Sequence, residues 1–484
     1  MPKIDIPEGW KMTTLGEVAE INALTIKKDY HYNEIEYIDV ASVEERKLLQ
    51  TQKLQLKSAP SRARRIVQDN DILISTVRPN LKHFCFIKTS KPNLVASTGF
   101  AVVSAKRAAP YFLYNLLTTE KYTKYLTQIA DTHTSTYPAF NPEVILNSKF
   151  LLPSLPEQHA IAAILSSFDD KIELLREQNK TLEAMAQAIY KRWFVDFEFP
   201  IEDETSKLLS LKRGEPEGRG GFDNILQLKG YKSSGGKMVK SELGEIPEGW
   251  RIGVLNDLCE KLESGGTPPT SNEEYWNGEI NWFSTKELQD NFIFESKKKI
   301  TKKGLENSSA KIYPKGSVVM AIYAAPTVGH LGLLGVDSTF NQAACGFIAD
   351  DKVASNEFIY SFLLHSRNVF INLSNGAAQQ NLNVGLVRNF KLIISNNETM
   401  KKFNVFSKPI FLKILNNFSQ IQTLSALRDS LLPKLMSGKI RVPVKNEAET
   451  TLLDGDRHSS LTEEGLKSEN PQTEGEQVRV ICQN

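Results

Sequence analysis

The sequence predicts an α+β chain built twice: two similar domains, each followed by a long helix, with the two helices paired antiparallel about a pseudo-twofold axis. Three observations carry this reading. A short string near the start recurs 240 residues later, a later set of positions repeats at an offset of 242, and an apolar heptad stripe follows each copy.

The first repeat is Ile6-Pro7-Glu8-Gly9-Trp10, which returns as Ile246-Pro247-Glu248-Gly249-Trp250. Leu15 and Val18 match Leu255 and Leu258 at the same offset. Phe140-Asn141 and Asn147 then align with Leu382-Asn383 and Asn389, and Thr181-Leu182 with Thr423-Leu424, all 242 residues apart. Register held to within two residues implies duplication, and the period is far too long for a solenoid.

From Pro156 to about Val195, apolar residues fall at Ile161, Leu165, Phe168, Ile172, Leu175, Leu182, Ile189 and Trp193, in a 4-3 alternation broken at Asn179 and Ala186. A helix of this length runs roughly 60 Å. Its narrow stripe calls for a partner helix, although packing of each helix on its own domain is the competing reading. The second copy supplies Phe403, Ile410, Ile414, Ile421, Leu424, Leu431 and Leu435. Pro409 predicts a kink or a late start to the second helix. Antiparallel pairing that sets Ile161 opposite Leu435 and Trp193 opposite Phe403 also sets Asn179 opposite Asn417, where two asparagines fix register.

The expected organisation is therefore a first domain over 1–155, its helix over 156–199, a polar connector over 200–242, a second domain over 243–396, its helix over 397–442, and a tail over 443–484. The connector holds seven glycines, seven acids and eight basic residues. Residues 446–484 carry nine acids against three Lys/Arg and no aromatic residue, too little apolar surface to fold alone.

Composition excludes several classes. Four cysteines (Cys85, Cys259, Cys345, Cys482) lie far apart with no C-x-x-C, against a zinc ribbon or a disulfide scaffold. The first residues lack an apolar h-region, so no signal peptide is expected. The uncharged run of 21 residues between Lys315 and Asp337 contains Pro326, Gly329, Gly332 and Gly335. It reads as two short buried strands, Val318–Tyr323 and Leu331–Leu334, in a soluble cytoplasmic protein with no membrane partner.

Catalytic motifs are missing. There is no G-x-x-x-x-G-K-[ST], no G-x-G-x-x-G and no H-E-x-x-H, and seven scattered histidines give no metal spacing. Asn141-Pro142-Glu143 has a charge where an amino-methyltransferase string needs a second proline. These absences predict no catalytic residue and no metal, and favour a binding protein.

Binding signals are positive. Residues 62–107 hold nine Lys/Arg (Arg62, Arg64, Arg65, Arg78, Lys82, Lys88, Lys91, Lys106, Arg107) against Asp69 and Asp71, and residues 297–315 hold seven Lys against Glu306. Such clusters suit phosphate neutralisation, and solvated faces are the plain alternative. In the first domain the candidate DNA contacts are Arg62, Arg64, Arg65, Ser75, Thr76, Arg78, Asn80, Lys82, His83, Thr134, Ser135 and Tyr137. In the second they are Thr267, Ser271, Tyr275, Trp276, Lys297, Lys298, Lys299, Tyr323, Gln379, Gln380 and Asn381. Arg pairs with guanine and Asn/Gln with adenine when such side chains reach base edges.

With these features in hand, the chain resembles the specificity subunits of type I restriction-modification systems. The resemblance rests on Pro7–Trp10 and Pro247–Trp250, Ser264-Gly265-Gly266-Thr267-Pro268, Leu155-Pro156-Glu157-Gln158, Trp193–Phe197, Ser233–Met238 and Leu432–Gly438, and spans about residues 5–442. Asn397-Glu398-Thr399-Met400 departs from the Leu-Pro-x-Glu-Gln expected at the second helix start. The resemblance implies two target recognition domains, each reading one half of a bipartite double-stranded DNA sequence. Half-sites would lie about one helical turn, roughly 34 Å, apart. It also implies docking of two modification subunits that methylate adenine and, through them, restriction subunits. S-adenosylmethionine, Mg and ATP would then sit on those partners and no cofactor on this chain. A self-contained methyltransferase-nuclease and a coiled-coil adaptor are the alternatives.

Overall fold

The computed structural model describes residues 6–133, 138–201, 229–323, 326–375 and 382–443. The chain divides into two compact units, residues 1–166 with 431–484, and residues 167–430.

Unit 1 is two stacked four-stranded sheets with helices on one side. The inner sheet runs Ala19–Ile21, Phe100–Ala105, Ile72–Ser75, Phe84–Phe86, all antiparallel. The outer sheet runs Gln52–Gln55, Glu34–Ile38, Leu94–Ser97, Ala63–Ile66, with its two central strands parallel. The central strand Ile72–Ser75 is buried at every position, with apolar residues at its first three, because both of its faces are covered. Leu73 joins Ile38, Leu94 and Ala96 between the sheets. Ile72 and Ile74, each one residue from Leu73 and so on the opposite face, meet Phe112, Leu113 and Ile161 on the helical side. Lys11–Thr14 pairs antiparallel with Lys149–Leu152 and so ties the two ends of the domain together.

Unit 2 repeats the plan. Its larger sheet runs Cys259–Ser264, Ala344–Ala349, Val318–Ala321, Leu331–Leu334, Asn291–Ile293, and its smaller one Lys298–Ile300, Trp276–Phe283, Thr339–Phe340. Val318–Ala321 is the counterpart of Ile72–Ser75, with Val319 and Ala321 facing one core and Val318 and Met320 the other. Arg251–Val254 closes on Lys391–Ile394 as Lys11–Thr14 closes on Lys149–Leu152. The uncharged run around Val318–Leu334 is thus two buried strands, and no helix among the described residues is long and apolar enough to cross a membrane.

Both long helices have 40 residues, Leu155–Phe194 and Asn397–Met436. The late start expected from Pro409 does not occur: the second helix is continuous through it. Twelve residues of helix precede Pro409, enough turns to carry the single backbone bond that proline removes.

The helices run antiparallel. In unit 2, Asn417 Nδ2 donates to Asn179 Oδ1 at 2.8 Å, and the Trp193 and Phe403 rings lie 6.0 Å apart, edge to face. In unit 1, Ile161 and Leu435 share a core cluster. The residue numbers in each of these pairs add to the same total, as one antiparallel register requires. Ile161, Leu165, Ile172, Leu175, Asn179, Ile189, Trp193, Ile414, Asn417, Ile421 and Leu435 are buried, while Phe168, Leu182, Ile410, Leu424 and Leu431 are half-buried. Among the described residues, Ile172, Leu175 and Ile421, with Phe418 and Leu424, form a cluster made of helix alone; the other apolar seam positions merge with a domain core or lie between. The two readings of the stripe, partner helix and own domain, are both realised, in different parts of the same helix. Arg428 adds a half-buried ion pair to Asp169 at 2.6 Å; burial opposes its charge, but Asp169 and Asp429 outweigh this and raise its pKa.

Candidate nucleic-acid interface

Unit 1 gathers part of its basic stretch along one strand. Arg64 and Arg65 lie on Ala63–Ile66, the edge strand of the outer sheet, and Arg62 immediately precedes it. Arg62 is committed within the domain: Nε donates to the Tyr37 hydroxyl at 3.0 Å and Nη2 pairs with Asp39 at 2.5 Å. Arg64 is exposed, and its Nε donates to the Ser61 carbonyl at 3.1 Å. Arg65 is half-buried, with Nη1 3.5 Å from Thr25 Oγ1.

The predicted strand-end loop is built differently from the expectation. Ser75 and Thr76 are buried, and their hydroxyls donate to the carbonyls of Val77 at 2.8 Å and Gly99 at 3.0 Å. They brace the chain as it leaves the sheet and are not available to a base edge. Arg78 and Lys82 both adopt left-handed backbone, φ 47° and 56°, on either side of a single 3₁₀ turn, Pro79–Leu81. Two such residues cost about 1 kcal/mol or more each. The turn is held by the Arg78 N–H donating to Pro138 O at 2.8 Å and by the Phe140 N–H donating to Thr76 O at 3.0 Å.

Lys82 lies between Glu45 at 3.2 Å and Glu120 at 3.1 Å. Burial works against its charge, yet the two carboxylates together raise its pKa. His83 is half-buried, its Nδ1 2.5 Å from the Val43 carbonyl. Asn80 is exposed. Thr134, Ser135 and Tyr137 lie outside the described residues.

These contacts correct the charge arithmetic. Within residues 62–107, Arg62, Lys82, Lys91 and Lys106 pair with Asp39, Glu45 and Glu120, Glu36, and Glu20 respectively. Every one of those acids lies outside the stretch in which the cations were counted, so the local excess is smaller than the sequence window suggests.

In unit 2 the Gly265-Gly266 pair is a packing device. A Cβ on Gly265 would lie 2.2 Å from Phe340 O, and one on Gly266 2.2 Å from the backbone of Ser309. Indole groups pin the same loop: Trp282 Nε1 donates to Gly266 O at 2.8 Å and Trp276 Nε1 to Pro269 O at 3.2 Å. Thr267 Oγ1 donates to Gln342, while Ser271 is exposed and Tyr275 half-buried. Lys298 lies over the Trp276 ring at 5.5 Å, a cation–π contact. Lys299 pairs with Glu295 at 3.1 Å, and the Lys297 N–H donates to Glu287 at 2.8 Å. Tyr323 is half-buried, and Gln379, Gln380 and Asn381 lie outside the described residues.

Burial pushes the Cys85 and Cys259 thiols up to about 12 and raises that of Cys345 too, which keeps all three protonated and chemically inert. No cluster of three or more His, Cys, Asp or Glu with metal-holding geometry occurs among the described residues.

One contact escaped sequence reasoning. Trp10 Nε1 donates to Glu157 at 3.1 Å, and Arg441, just past the second helix, grips the same carboxylate through Nε at 2.8 Å and Nη2 at 3.0 Å. All three residues belong to unit 1. Glu157 stands in the Leu-Pro-Glu-Gln string, but nothing local in the sequence links it to a residue 284 positions away.

The family profile described as "Type I restriction modification DNA specificity domain" matches residues 7–184 and again residues 247–429. The chain belongs to this family. The two matches coincide with the two structural copies. Similar members of the specificity family include the HindI specificity subunit of Haemophilus influenzae, 28% identical over 463 residues, spanning 89% of this chain and 99% of that protein. The MjaIX specificity subunit of Methanocaldococcus jannaschii is 27% identical over 449 residues, spanning 90% and 95%. The solved S subunit of a type I restriction-modification system from M. genitalium has the same fold, with TM-score 0.50 at 12% identity over 90% of this chain and 97% of that one. Membership in the specificity family assigns this chain to recognition of DNA sequence, and catalysis to other chains.

Proposed function

We propose that this chain is the sequence-reading subunit of a type I restriction-modification assembly in the cytoplasm, with each compact unit reading one half of a bipartite duplex target. The observation that carries the reading is the repetition of a two-sheet domain, one end-to-end strand closure and one long helix in each half of a single chain. Two copies of one reader in one polypeptide suit a target with two separate parts, as two-fold proteins suit paired half-sites.

Two modification subunits would dock on the chain and supply S-adenosylmethionine-dependent methylation of adenine. Restriction subunits, with ATP and Mg, would join through them. Docking would use the exposed faces of the helices and the segments Trp193–Phe197 and Leu432–Gly438. The decisive experiment expresses the chain with its modification partner in a methylation-free host and maps methylated bases across the genome. A split motif with a spacer of fixed length and free sequence is the expected result. A continuous motif, or methylation by the purified chain alone, would overturn the reading.

A further inference from the structure

The connection between the two sheets occupies the same topological place in both units. In unit 1, residues 22–33 lead from the inner-sheet edge strand Ala19–Ile21 to Glu34–Ile38, which pairs parallel with Leu94–Ser97. In unit 2, residues 265–275 lead from the edge strand Cys259–Ser264 to Trp276–Phe283, which pairs parallel with Thr339–Phe340. The sequences differ completely, Lys27-Lys28-Asp29-Tyr30-His31-Tyr32 in one and Gly265–Asn272 in the other. Aromatic rings lie within the first connection and at the start of the strand that follows the second. Trp276 lies under Lys298, and Tyr30, His31 and Tyr32 form a ring cluster with centroids 5.1 to 6.3 Å apart.

The unit 1 connection is fastened to the arginine-bearing edge strand. Its Ile26 N–H donates to Arg64 O at 2.9 Å, the Ile66 N–H donates to Leu24 O at 3.1 Å, and Thr25 bridges Arg65. Ile26 and Tyr30 pack on the outer face of the sheet against the cluster of Ile35, Tyr37 and Val95. That anchoring leaves Lys27, Lys28, His31 and Arg64 exposed on one connected edge. Asp29 is the only acid in residues 22–33. In contrast to Arg62 and Lys82, neither Lys27 nor Lys28 forms an ion pair among the described residues. Lys27, Lys28 and Arg64 are thus among the exposed cations of unit 1 that form no ion pair among the described residues.

We propose that the Lys27–Tyr32 loop, with Arg64 beside it, is the DNA-contacting edge of unit 1: Lys27, Lys28 and Arg64 meet backbone phosphates, and His31 and Tyr32 face the base edges. The occupant is duplex DNA because exposed cations flank rings that carry hydrogen-bonding groups. The proposal rests on the DNA-specificity reading above. It assigns this loop as the place where two domains of one fold acquire different sequence preferences, since it is the sheet-to-sheet connection whose residues diverge between the two units.

The test uses the full chain assembled with its modification subunits, carrying K27A/K28A/H31A, three exposed positions. The probe is a duplex bearing the motif mapped with the wild-type complex. Binding should weaken by about tenfold to a hundredfold, and the plot of log K against log salt should become shallower by about 2, one for each lost phosphate contact. H31A alone should relax base preference in one half of the motif with the salt slope unchanged, and R64A should weaken binding without altering the motif. Unchanged affinity and motif in the triple variant, with the complex intact, would overturn the proposal. So would loss of modification subunits from the complex, which would assign the loop to a protein partner. A wild-type complex with no sequence-specific methylation would instead sink the underlying DNA-specificity reading.

Discussion

The two repeated tryptophans solve the same problem in opposite ways. Trp10 is held by charge: its indole N–H ends on the buried Glu157 carboxylate, which Arg441 also grips, and that contact raises the Arg441 pKa. Gly438, with φ +70°, lets the chain after the second helix lie against Pro7, where a Cβ would approach to 2.6 Å. Trp250 is held by rings: Phe199 stacks on it at 5.2 Å and 21°, and Phe197 and Phe194 close in at 5.7 and 5.8 Å. Its indole nitrogen is buried with no hydrogen-bond partner among the described residues. The 242-residue offset explains the difference, because Thr399 stands where Glu157 does and Phe199 where Arg441 does. Duplication kept the apolar shape of the joint and exchanged its polar chemistry.

A second pair of carboxylates extends the contrast. Glu157 is answered by donors, whereas Glu183, also on the first helix, is half-buried and lies near Asp290. Burial first, and the Asp290 charge second, push its carboxyl up to about 7.

The largest effect should come from Glu157→Ala, which leaves the Trp10 N–H buried and unpaired and removes a buried carboxylate from its partners. We expect unit 1 to lose about 3 kcal/mol, read as a lower denaturant midpoint for that unit. If the loss is no larger than that of Thr399→Ala in unit 2, the ionic account of the first joint is wrong.

A matched pair of substitutions is sharper. Trp10→Phe forfeits a hydrogen bond, while Trp250→Phe removes a nitrogen that has none, so the first should cost about 1 kcal/mol more than the second. Equal losses by calorimetry would show that ring packing dominates both joints.

The smallest effect is a pH dependence confined to unit 2. The folded-state pKa of Glu183 stands above its ordinary value of 4.5, so the folded unit binds this proton more tightly than the unfolded chain. Stability should therefore rise as pH falls through 7 toward 4.5, by about 1 kcal/mol between pH 8 and 6. Glu183→Gln should flatten that slope, and a slope that survives the substitution would assign the effect elsewhere.

The long helices were legible because a heptad stripe is a local property, readable without knowing what it packs against. Their antiparallel register was legible for a related reason: a single asparagine in each apolar stripe, Asn179 and Asn417, marks one layer. The DNA-contact candidates were less so. Ser75 and Thr76 have the right chemistry for base contacts, but the strand that carries them is covered on both faces. Gly265-Gly266-Thr267 read as a polar loop, yet its glycines serve the close passage of Phe340 and Ser309. The loop at Lys27–Tyr32 drew no notice because its importance lies in being fastened beside Arg64 and Arg65, nearly 40 residues away.

By itself the sequence determined that one unit was made twice, where the long helices lie and which way they pair, since each follows from periodicity and repetition along the chain. Only the tertiary structure decided which cations remain for a phosphate and which tryptophan rests on a charge. Neutralisation depends on distance in space, and the acids that silence Arg62 and Lys82, like the Arg441 that grips Glu157, come from segments that sequence proximity does not connect.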